Sequence, residues 1–213
     1  MPAAHLLAEG RPLDWPNVAP SVLVTKRGVS IGIIGVSTMS TLKTTIAANV
    51  VGVSLVQLTD AITAEAKALR ERGAKVVVVA AHAGGHCAKT DVPTDLSSCE
   101  ATSEIFDVAR KLPVGVVQAI VAGHTHKNIA HEVAGIPIIE SGSWGAAFGR
   151  VDIVVEAATG KVVRTRIHPP ETVTAGGDFE GVKTAPSQEV ADAVAPAIER
   201  AKTRRAKSLG TTI

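Results

Sequence analysis

Hydrophobic residues fall into short runs separated by polar turns, a pattern typical of alternating strands and helices. Residues 75–81 contain four consecutive valines, and residues 116–122 form a second apolar run. Such runs suit strands that are buried on both faces, as in a parallel sheet. Residues 100–112, which lie between them, are predicted to form a helix that Pro113 ends. The order strand, helix, strand predicts two parallel strands joined by a right-handed crossover.

Further elements are predicted on either side of this unit. Asp60 and Gly73 are the expected cap and stop of a helix over residues 60–72. The strand pairs are predicted at residues 21–26 with 29–36, 129–133 with 136–140, and 150–155 with 161–168, each around a turn. Irregular structure is expected at residues 1–20, which are crowded with prolines, and at residues 37–48 and 84–98.

Composition narrows the class of protein. Of the 213 residues, 46% are hydrophobic and 2% aromatic, so a sizeable core built from aliphatic side chains is expected. The net charge of +2 favours neither a nucleic-acid partner nor an acidic one. No apolar run approaches the ~18 residues of a membrane helix. The first ten residues lack the pattern of a secretory signal, and the sequence leaves the compartment open.

The two cysteines leave two interpretations open. Cys87 and Cys99 fit neither a zinc ribbon nor a Cys-x-x-Cys redox pair. They are able to form one disulfide across a surface loop in an oxidising compartment, or to stay as two free thiols.

Three histidines are predicted to share one edge of the parallel sheet. The first predicted strand runs into His82, and the second runs into Gly123-His124-Thr125-His126. Parallel strands bring their carboxyl ends to the same edge, where open α/β sheets bind ligands. Residues two apart in an extended loop point the same way, and Gly123 is expected to let the backbone turn there. Because neutral imidazole is the commonest transition-metal ligand, His82, His124 and His126 are the predicted metal ligands.

Other candidates are weaker. His82 and His86 have metalloprotease spacing, but Ala83 replaces the catalytic Glu, so His86 is predicted to be a loop residue. His131 is predicted to face solvent from a short strand. The segment around Ser143 lacks the Gly and the helix of a serine-hydrolase elbow.

The residues around these histidines resemble a known family. Val-Val-Val-Val-Ala-Ala-His82-Ala-Gly-Gly, followed by Ala-Ile-Val-Ala-Gly-His124-Thr-His126, resembles the calcineurin-like metallophosphoesterases. Gly-Ile-Pro-Ile-Ile-Glu-Ser-Gly-Ser-Trp144-Gly, with Ile-Ile-Gly35-Val upstream, is similar to the 5'-nucleotidase branch. The resemblance covers residues 18–170.

This resemblance implies an α/β (α+β) fold, a partial four-layer αββα sandwich. It also implies metal-dependent hydrolysis of a nucleotide phosphate monoester by two divalent ions that clamp the ester. By position, His82 and His124 resemble ligands of the second ion and His126 a ligand of the first, with Thr125 as a spacer. The resemblance does not distinguish zinc, manganese and cobalt, and it implies a nucleotide or other phosphate ester as substrate.

The family pattern is incomplete in this sequence. Its Asp-x-His and Asn-His motifs do not occur, and the one Gly-Asp, at Asp178, lies late in the chain. Residues 1–170 are therefore expected to be the C-terminal part of the phosphatase domain, truncated at its N-terminus and inactive alone. An N-terminal half on another chain, or a homo-oligomer, is the expected complement. Alternatively, the chain is a non-catalytic remnant that binds a metal or a partner.

Two structural expectations follow from this truncation. Residues 171–213 are expected to be a linker and a helix, containing Pro196, that leads toward a nucleotide-recognition domain. The missing half is also expected to leave the valine strand at residues 76–79 with an exposed edge or face.

Overall fold

A computed structural model describes residues 3–156, 159–174, 176–208 and 210. The strands in this part of the chain are β1 Leu6–Ala8, β2 Arg11–Pro12, β3 Ser21–Lys26, β4 Val29–Ser37, β5 Val53–Leu55, β6 Val76–His82, β7 Ala119–Val121, β8 Asn128–Val133, β9 Ile136–Ser141, β10 Ala147–Val155, β11 Val162–Thr172, β12 Asp178–Phe179 and β13 Val182–Lys183. The helices are α1 Thr41–Thr44, α2 Leu58–Glu71, α3 Glu104–Lys111 and α4 Gln188–Ala206, and Ala47–Asn49 form a 3-10 turn.

A six-stranded sheet in the order β3-β4-β6-β7-β9-β8 organises the first unit of the chain, Met1–Thr172. Strands β4, β6, β7 and β9 lie side by side and are parallel to one another. The two edge strands pair antiparallel, β3 with β4 and β8 with β9. The predicted parallel strand, helix, strand unit is thus confirmed. The carboxyl ends of β4, β6 and β7 meet at one edge of this sheet.

One face of the sheet is buried against α2 and α3. Ile62, Ala66 and Leu69 form the predicted apolar stripe of α2 and are buried in the core. Gly32 lets this helix approach closely, because a Cβ there would lie 2.7 Å from Leu69 Cδ1. Helix α2 begins at Leu58, so Asp60 lies in its first turn and the prediction that it caps the helix is wrong.

Helix α3 and strand β7 are shorter than predicted. Residues 100–103 form a turn, because the Glu100 amide donates a 2.9 Å hydrogen bond to the His86 carbonyl oxygen instead of starting the helix. Strand β7 contains three residues, Ala119–Val121, and not residues 116–122.

The valine strand β6 has no exposed edge, so that part of the expectation is wrong, but one of its faces is partly open, since Val78 is half-buried. Strand β6 is paired with β4 on one side and β7 on the other, and Val76, Val77 and Val79 are at most 3% exposed. Exposed valines lie on the same sheet face as Val78, with Val22 on the edge strand β3 and Val121 on β7.

Two smaller sheets complete this unit. Strands β10 and β11 extend the predicted pair to Ala147–Val155 and Val162–Thr172 and pack against β8 and β9. Strands β2, β1 and β5 form a three-stranded sheet. Strands β1 and β2 lie in residues 1–20, which were predicted to be irregular, and β5 lies where no element was predicted. These strands have two or three residues each, and a pattern of that length carries little signal.

The second unit, Val173–Ile213, contains a short hairpin and a helix. Strands β12 and β13 pair within the predicted linker. Helix α4 begins after Ser187, whose hydroxyl accepts from the Val190 amide, and contains Pro196. None of the helices in the described ranges has both the length and the apolar content that a bilayer crossing requires.

Candidate metal centre

His82 and His124 meet at the carboxyl edge of the parallel strands. His82 is the last residue of β6, and its carbonyl oxygen accepts a 2.9 Å hydrogen bond from the Thr38 amide just after β4. Its Nε2 lies 3.1 Å from Nδ1 of His124, and the two ring centroids are 4.7 Å apart. Both side chains are exposed, so an ion is able to reach them from solvent.

The spacing of these two nitrogens fits a shared divalent ion. Zinc–nitrogen bonds of about 2.1 Å in a tetrahedral site place two ligand nitrogens about 3.4 Å apart. The observed 3.1 Å is close to that separation, and it also permits a hydrogen bond when one ring donates to the other. The pair therefore suits one end of a metal site.

His126 lies apart from this pair. Its ring contacts Trp144 edge-on, with centroids 5.7 Å apart. Among the described residues, His82, His124 and His126 do not form a group whose three ligand atoms all lie within 4.8 Å of one another. Its assignment to the first ion of a two-metal site stays a prediction.

The backbone between these histidines is turned and not extended. His124 has φ 87° and His126 has φ 58°, whereas Gly123 has no positive φ, so the left-handed backbone lies at the histidines and not at the glycine. Positive φ in non-glycine residues costs about 1–3 kcal/mol each and persists where surrounding contacts enforce it. This turn, residues 124–126, is called the histidine turn.

Thr125 holds the histidine turn in place through the contacts of its hydroxyl. Its hydroxyl oxygen lies 2.7 Å from the Gly85 carbonyl oxygen and 2.8 and 2.9 Å from the two carboxylate oxygens of Glu140. Glu140 is 1% exposed, so this contact satisfies a buried charge-bearing group. A Cβ on Gly84 would lie 2.4 Å from Glu140 Oε2, so this packing leaves no room for a side chain there. Thr125 is thus more than the spacer that the resemblance implied.

A cavity of about 380 Å³ opens beside the histidine turn. Its lining includes Thr38, His124, Glu104 and Lys127. Glu104 Oε1 also accepts a 2.8 Å hydrogen bond from the Met39 amide, which ties α3 to the segment after β4. The carboxylates of Glu100 and Glu104 also line this cavity, so its charges are mixed, and Lys127 and His124 are the groups that would attract an anionic ligand.

Buried His5 supports the same segment. Its Nε2 accepts a 3.3 Å hydrogen bond from the Ser37 amide, while its Nδ1 has no partner among the described residues. Burial lowers the pKa of His5, and the negative charge of Glu104 opposes that shift. Because the neutral ring is favoured, His5 acts as a hydrogen-bond acceptor in the core.

No protein-family profile matches the chain. The curated relative Endonuclease YhcR of Bacillus subtilis (strain 168) is 29% identical over 148 residues, which cover 67% of this chain and 11% of that protein. The calcineurin-like phosphoesterase YfkN from Bacillus subtilis superposes with a TM-score of 0.66 at 19% identity, over 93% of this chain and 61% of that chain. The 5'-nucleotidase precursor from Thermus thermophilus superposes with a TM-score of 0.65 at 19% identity, over 95% of this chain and 38% of that chain.

This chain has part of a metallophosphoesterase fold. The superposition on a calcineurin-like phosphoesterase and a 5'-nucleotidase confirms the expected resemblance and the expected α/β fold class. The chain spans 11% of the curated relative and 61% and 38% of the two solved structures. The activities named for those proteins therefore belong to longer chains.

Within this metallophosphoesterase fold, His86 and His131 have different surroundings. His86 lies in the loop after β6, as predicted, and its Nδ1 is 3.1 Å from Glu100 Oε1. His131 is 1% exposed, so the prediction that it faces solvent is wrong. It lies on the sheet face that α2 and α3 cover, because its register partner is the buried Ile138.

The two cysteines form a disulfide, the first of the two alternatives that the sequence left open. Cys87 and Cys99, with His131, make the group whose ligand atoms lie within 4.8 Å of one another. As a disulfide, the sulfur atoms are not thiolates and do not ligate a metal in the way that thiolates do. This group is therefore separate from the His82–His124 pair.

Another histidine, His168, lies on β11 and belongs to neither group. Its Nε2 is 2.8 Å from Asp152 Oδ2 on β10, and Arg150 Nε is 2.9 Å from Asp152 Oδ1. This cross-strand cluster is consistent with a structural role in the β10–β11 ladder.

Proposed function

We propose that this chain contributes to a metal-dependent site that hydrolyses the phosphate monoester of a nucleotide. The 3.1 Å approach of His82 Nε2 to His124 Nδ1, at the carboxyl edge of a metallophosphoesterase-type sheet, carries the proposal. His82 and His124 would hold one divalent ion, and His126 would be a ligand of a second. Zinc, manganese and cobalt all accept imidazole ligands, so the proposal names no one metal.

The side chains of the cavity would bind and orient the ester. A divalent ion held at such a site polarises a phosphoryl oxygen as a Lewis acid. Lys127 would attract the phosphate dianion, and the Thr38 hydroxyl, which also lines the cavity, is able to hydrogen-bond a phosphate oxygen. The contact of Thr125 with Glu140 would keep His124 in place as the ester binds.

These 213 residues alone would be inactive or nearly so. Two ions about 3.5–4 Å apart need anionic ligands between them to offset their repulsion. His82, His124 and His126 supply no negative charge, and the Asp-x-His and Asn-His motifs of the family do not occur in the sequence. Losing nucleophile positioning and charge stabilisation together forfeits many powers of ten in rate.

The remaining ligands would come from a complementing N-terminal half that carries these motifs, because a second copy of this sequence lacks them as well. The sheet face opposite α2 offers a surface for such a partner. Val22, Val24 and Val121 share that face by strand register and are 38%, 42% and 49% exposed. Apolar positions grouped on one sheet face favour a protein partner over solvent.

Residues 171–213 would be the linker and helix that lead to a nucleotide-recognition domain. Val173–Ile213 form a compact unit of their own, which supports this proposal. So does α4, a helix in which no described residue is buried.

A second candidate is hydrolysis of a phosphodiester. The relative named an endonuclease, at 29% identity, is the observation that favours it. A non-catalytic module that binds one ion through His82 and His124 is the third. Parallel assays with adenosine 5'-monophosphate and an aryl phosphodiester distinguish these functions.

Phosphate release with Mn²⁺, Co²⁺ or Zn²⁺ tests the proposal. The turnover number of the chain alone should lie far below the ~10 per second that is typical of enzymes. A fusion behind a segment that carries Asp-x-His, Gly-Asp and Asn-His should release phosphate, lose this activity with His124→Ala and keep it with His168→Gln. A folded fusion without turnover on either ester would contradict the catalytic function and leave the binding module.

A further inference from the structure

We infer that, after reduction, Cys87 and Cys99 bind a soft divalent ion such as zinc together with His131. The site lies outside the His82–His124 pair and does not depend on the proposed hydrolase function. Its oxidised form is the disulfide that the structure contains.

The three ligand atoms already converge. One ligand atom from each of Cys87, Cys99 and His131 lies within 4.8 Å of the other two. In a tetrahedral site with zinc–sulfur bonds of about 2.3 Å, two sulfurs lie about 3.8 Å apart. Breaking the disulfide lets the sulfurs separate to that distance by side-chain rotation. His131 is then within reach of the same ion.

The backbone holds the ligands on two packed segments. Residues 87 and 99 form an antiparallel bridge, flanked by a 3.0 Å hydrogen bond from the Ala88 amide to the Ser98 carbonyl oxygen. The Glu132 amide on β8 donates a 2.8 Å hydrogen bond to the Pro93 carbonyl oxygen, which ties the same loop to the strand of His131. Neither contact involves a sulfur atom, so both are expected to survive reduction.

The chemistry of the group selects its metal. A dithiol reductant transfers two electrons and two protons to the disulfide and is itself oxidised to a disulfide, leaving two thiols. Binding of Zn²⁺ then releases both protons, since thiolates are the ligands. Two thiolates and one imidazole suit zinc, with water in a fourth position.

This site adjoins the wall of the cavity beside the histidine turn. His86 precedes Cys87 and Glu100 follows Cys99, and both line the cavity of about 380 Å³. Replacing the disulfide by a metal site would therefore act on the backbone bridge of residues 87 and 99, which lies next to His86 and Glu100.

Cobalt titration of the anaerobically reduced chain tests the inference. The background variant His82→Ala/His124→Ala removes the other candidate site. We expect one Co²⁺ per chain, with thiolate-to-cobalt charge-transfer absorption and the strong visible bands of tetrahedral cobalt. Zn²⁺ should displace the cobalt and bleach these bands. The same protein left oxidised should show neither band, and this arm involves no change of sequence.

Substitutions assign the ligands. Cys87→Ser/Cys99→Ser should abolish the charge-transfer absorption, and His131→Asn should weaken cobalt binding by at least about tenfold. His86→Gln, a neighbouring histidine outside the group, should leave the spectrum unchanged. Circular dichroism of each reduced protein checks folding. Reduced protein whose spectrum matches the double serine variant would overturn the inference, as would a folded His131→Asn protein that binds cobalt as tightly as its parent.

Discussion

The hydroxyl of Thr125 lies within 2.9 Å of both carboxylate oxygens of Glu140, a side chain that is 1% exposed. Thr125 separates the two histidines of the histidine turn, so this contact connects a buried carboxylate to the candidate metal centre. The positive φ angles of His124 and His126 need such a support, because the backbone does not favour them.

Thr125→Val should destabilise the fold and loosen the histidine turn. Valine keeps the shape of threonine but removes the donor to buried Glu140, which should lower the free energy of unfolding by about 1–3 kcal/mol. Denaturant unfolding followed by circular dichroism measures this loss. Thr63→Val is the matched control, because the Thr63 hydroxyl donates to the Thr59 carbonyl oxygen on α2 and serves no buried carboxylate. Equal losses in the two variants would contradict this role of Thr125.

Gly84→Ala should be poorly tolerated. Its Cβ would clash with Glu140 Oε2 and with the Gly123 carbonyl oxygen and would lie 2.7 Å from Thr125 Oγ1, so all three groups must shift. Overpacking of this kind costs about 1–3 kcal/mol. At Gly123, also beside the site, a Cβ would meet the Ala81 carbonyl oxygen at an ordinary 3.7 Å. Thermal unfolding should therefore show a clear loss for Gly84→Ala and a smaller one for Gly123→Ala, and the reverse order would refute the packing account.

His5 should make stability depend on pH in the mildly acidic range. Its pKa in the folded state is lowered by burial, so the unfolded chain binds the proton more readily. The free energy of unfolding should fall as the pH drops below the ordinary value of 6.5 toward the lowered folded-state pKa. Burial also lowers the pKa of His131, which acts in the same range, whereas Asp95 and Asp152, whose pKa values are lowered from 3.8, act only in a more acidic range.

His5→Gln tests this assignment. Unfolding in urea between pH 7 and pH 5 should show a shallower decrease in stability for the variant than for the wild-type chain. The comparison of slopes is independent of any constant loss that the substitution causes. Parallel slopes would show that His5 is not responsible.

Trp144 offers a test of His126. Its ring centroid is 5.7 Å from that of His126, and Trp15 is the other of the two tryptophans in the chain. In a Trp15→Phe background, Co²⁺ bound at His126 should quench most of the fluorescence, whereas closed-shell Zn²⁺ should not. His126→Ala should abolish the quenching. Cobalt binding without any change in fluorescence would remove His126 from the metal centre.

The sequence predicted the parts of the fold that long apolar runs encode. The valine run of β6, the stripe of α2 and the hairpin β8–β9 all carry many residues of consistent pattern, and the structure contains them. The β2-β1-β5 sheet was missed, because its strands contain only two or three residues each. In addition, β1 pairs with β5 across about fifty residues of chain.

The site was predicted in part. Strand order alone brought His82 and His124 to one edge. It did not reveal the burial of His131, because β8 is an edge strand whose exposed face depends on what packs there. The support by Glu140 was also missed, although a lone acid after Ile-Pro-Ile-Ile was a signal that this position faces a polar partner.

Calorimetric titration of Zn²⁺ into the oxidised chain tests the central claim most directly, because oxidation keeps Cys87 and Cys99 unavailable as ligands. We predict binding that weakens by at least about tenfold in His82→Ala and in His124→Ala and is unchanged in His168→Gln. Titrations of His82→Ala and His124→Ala that match the wild-type chain would contradict a metal centre at this edge of the sheet.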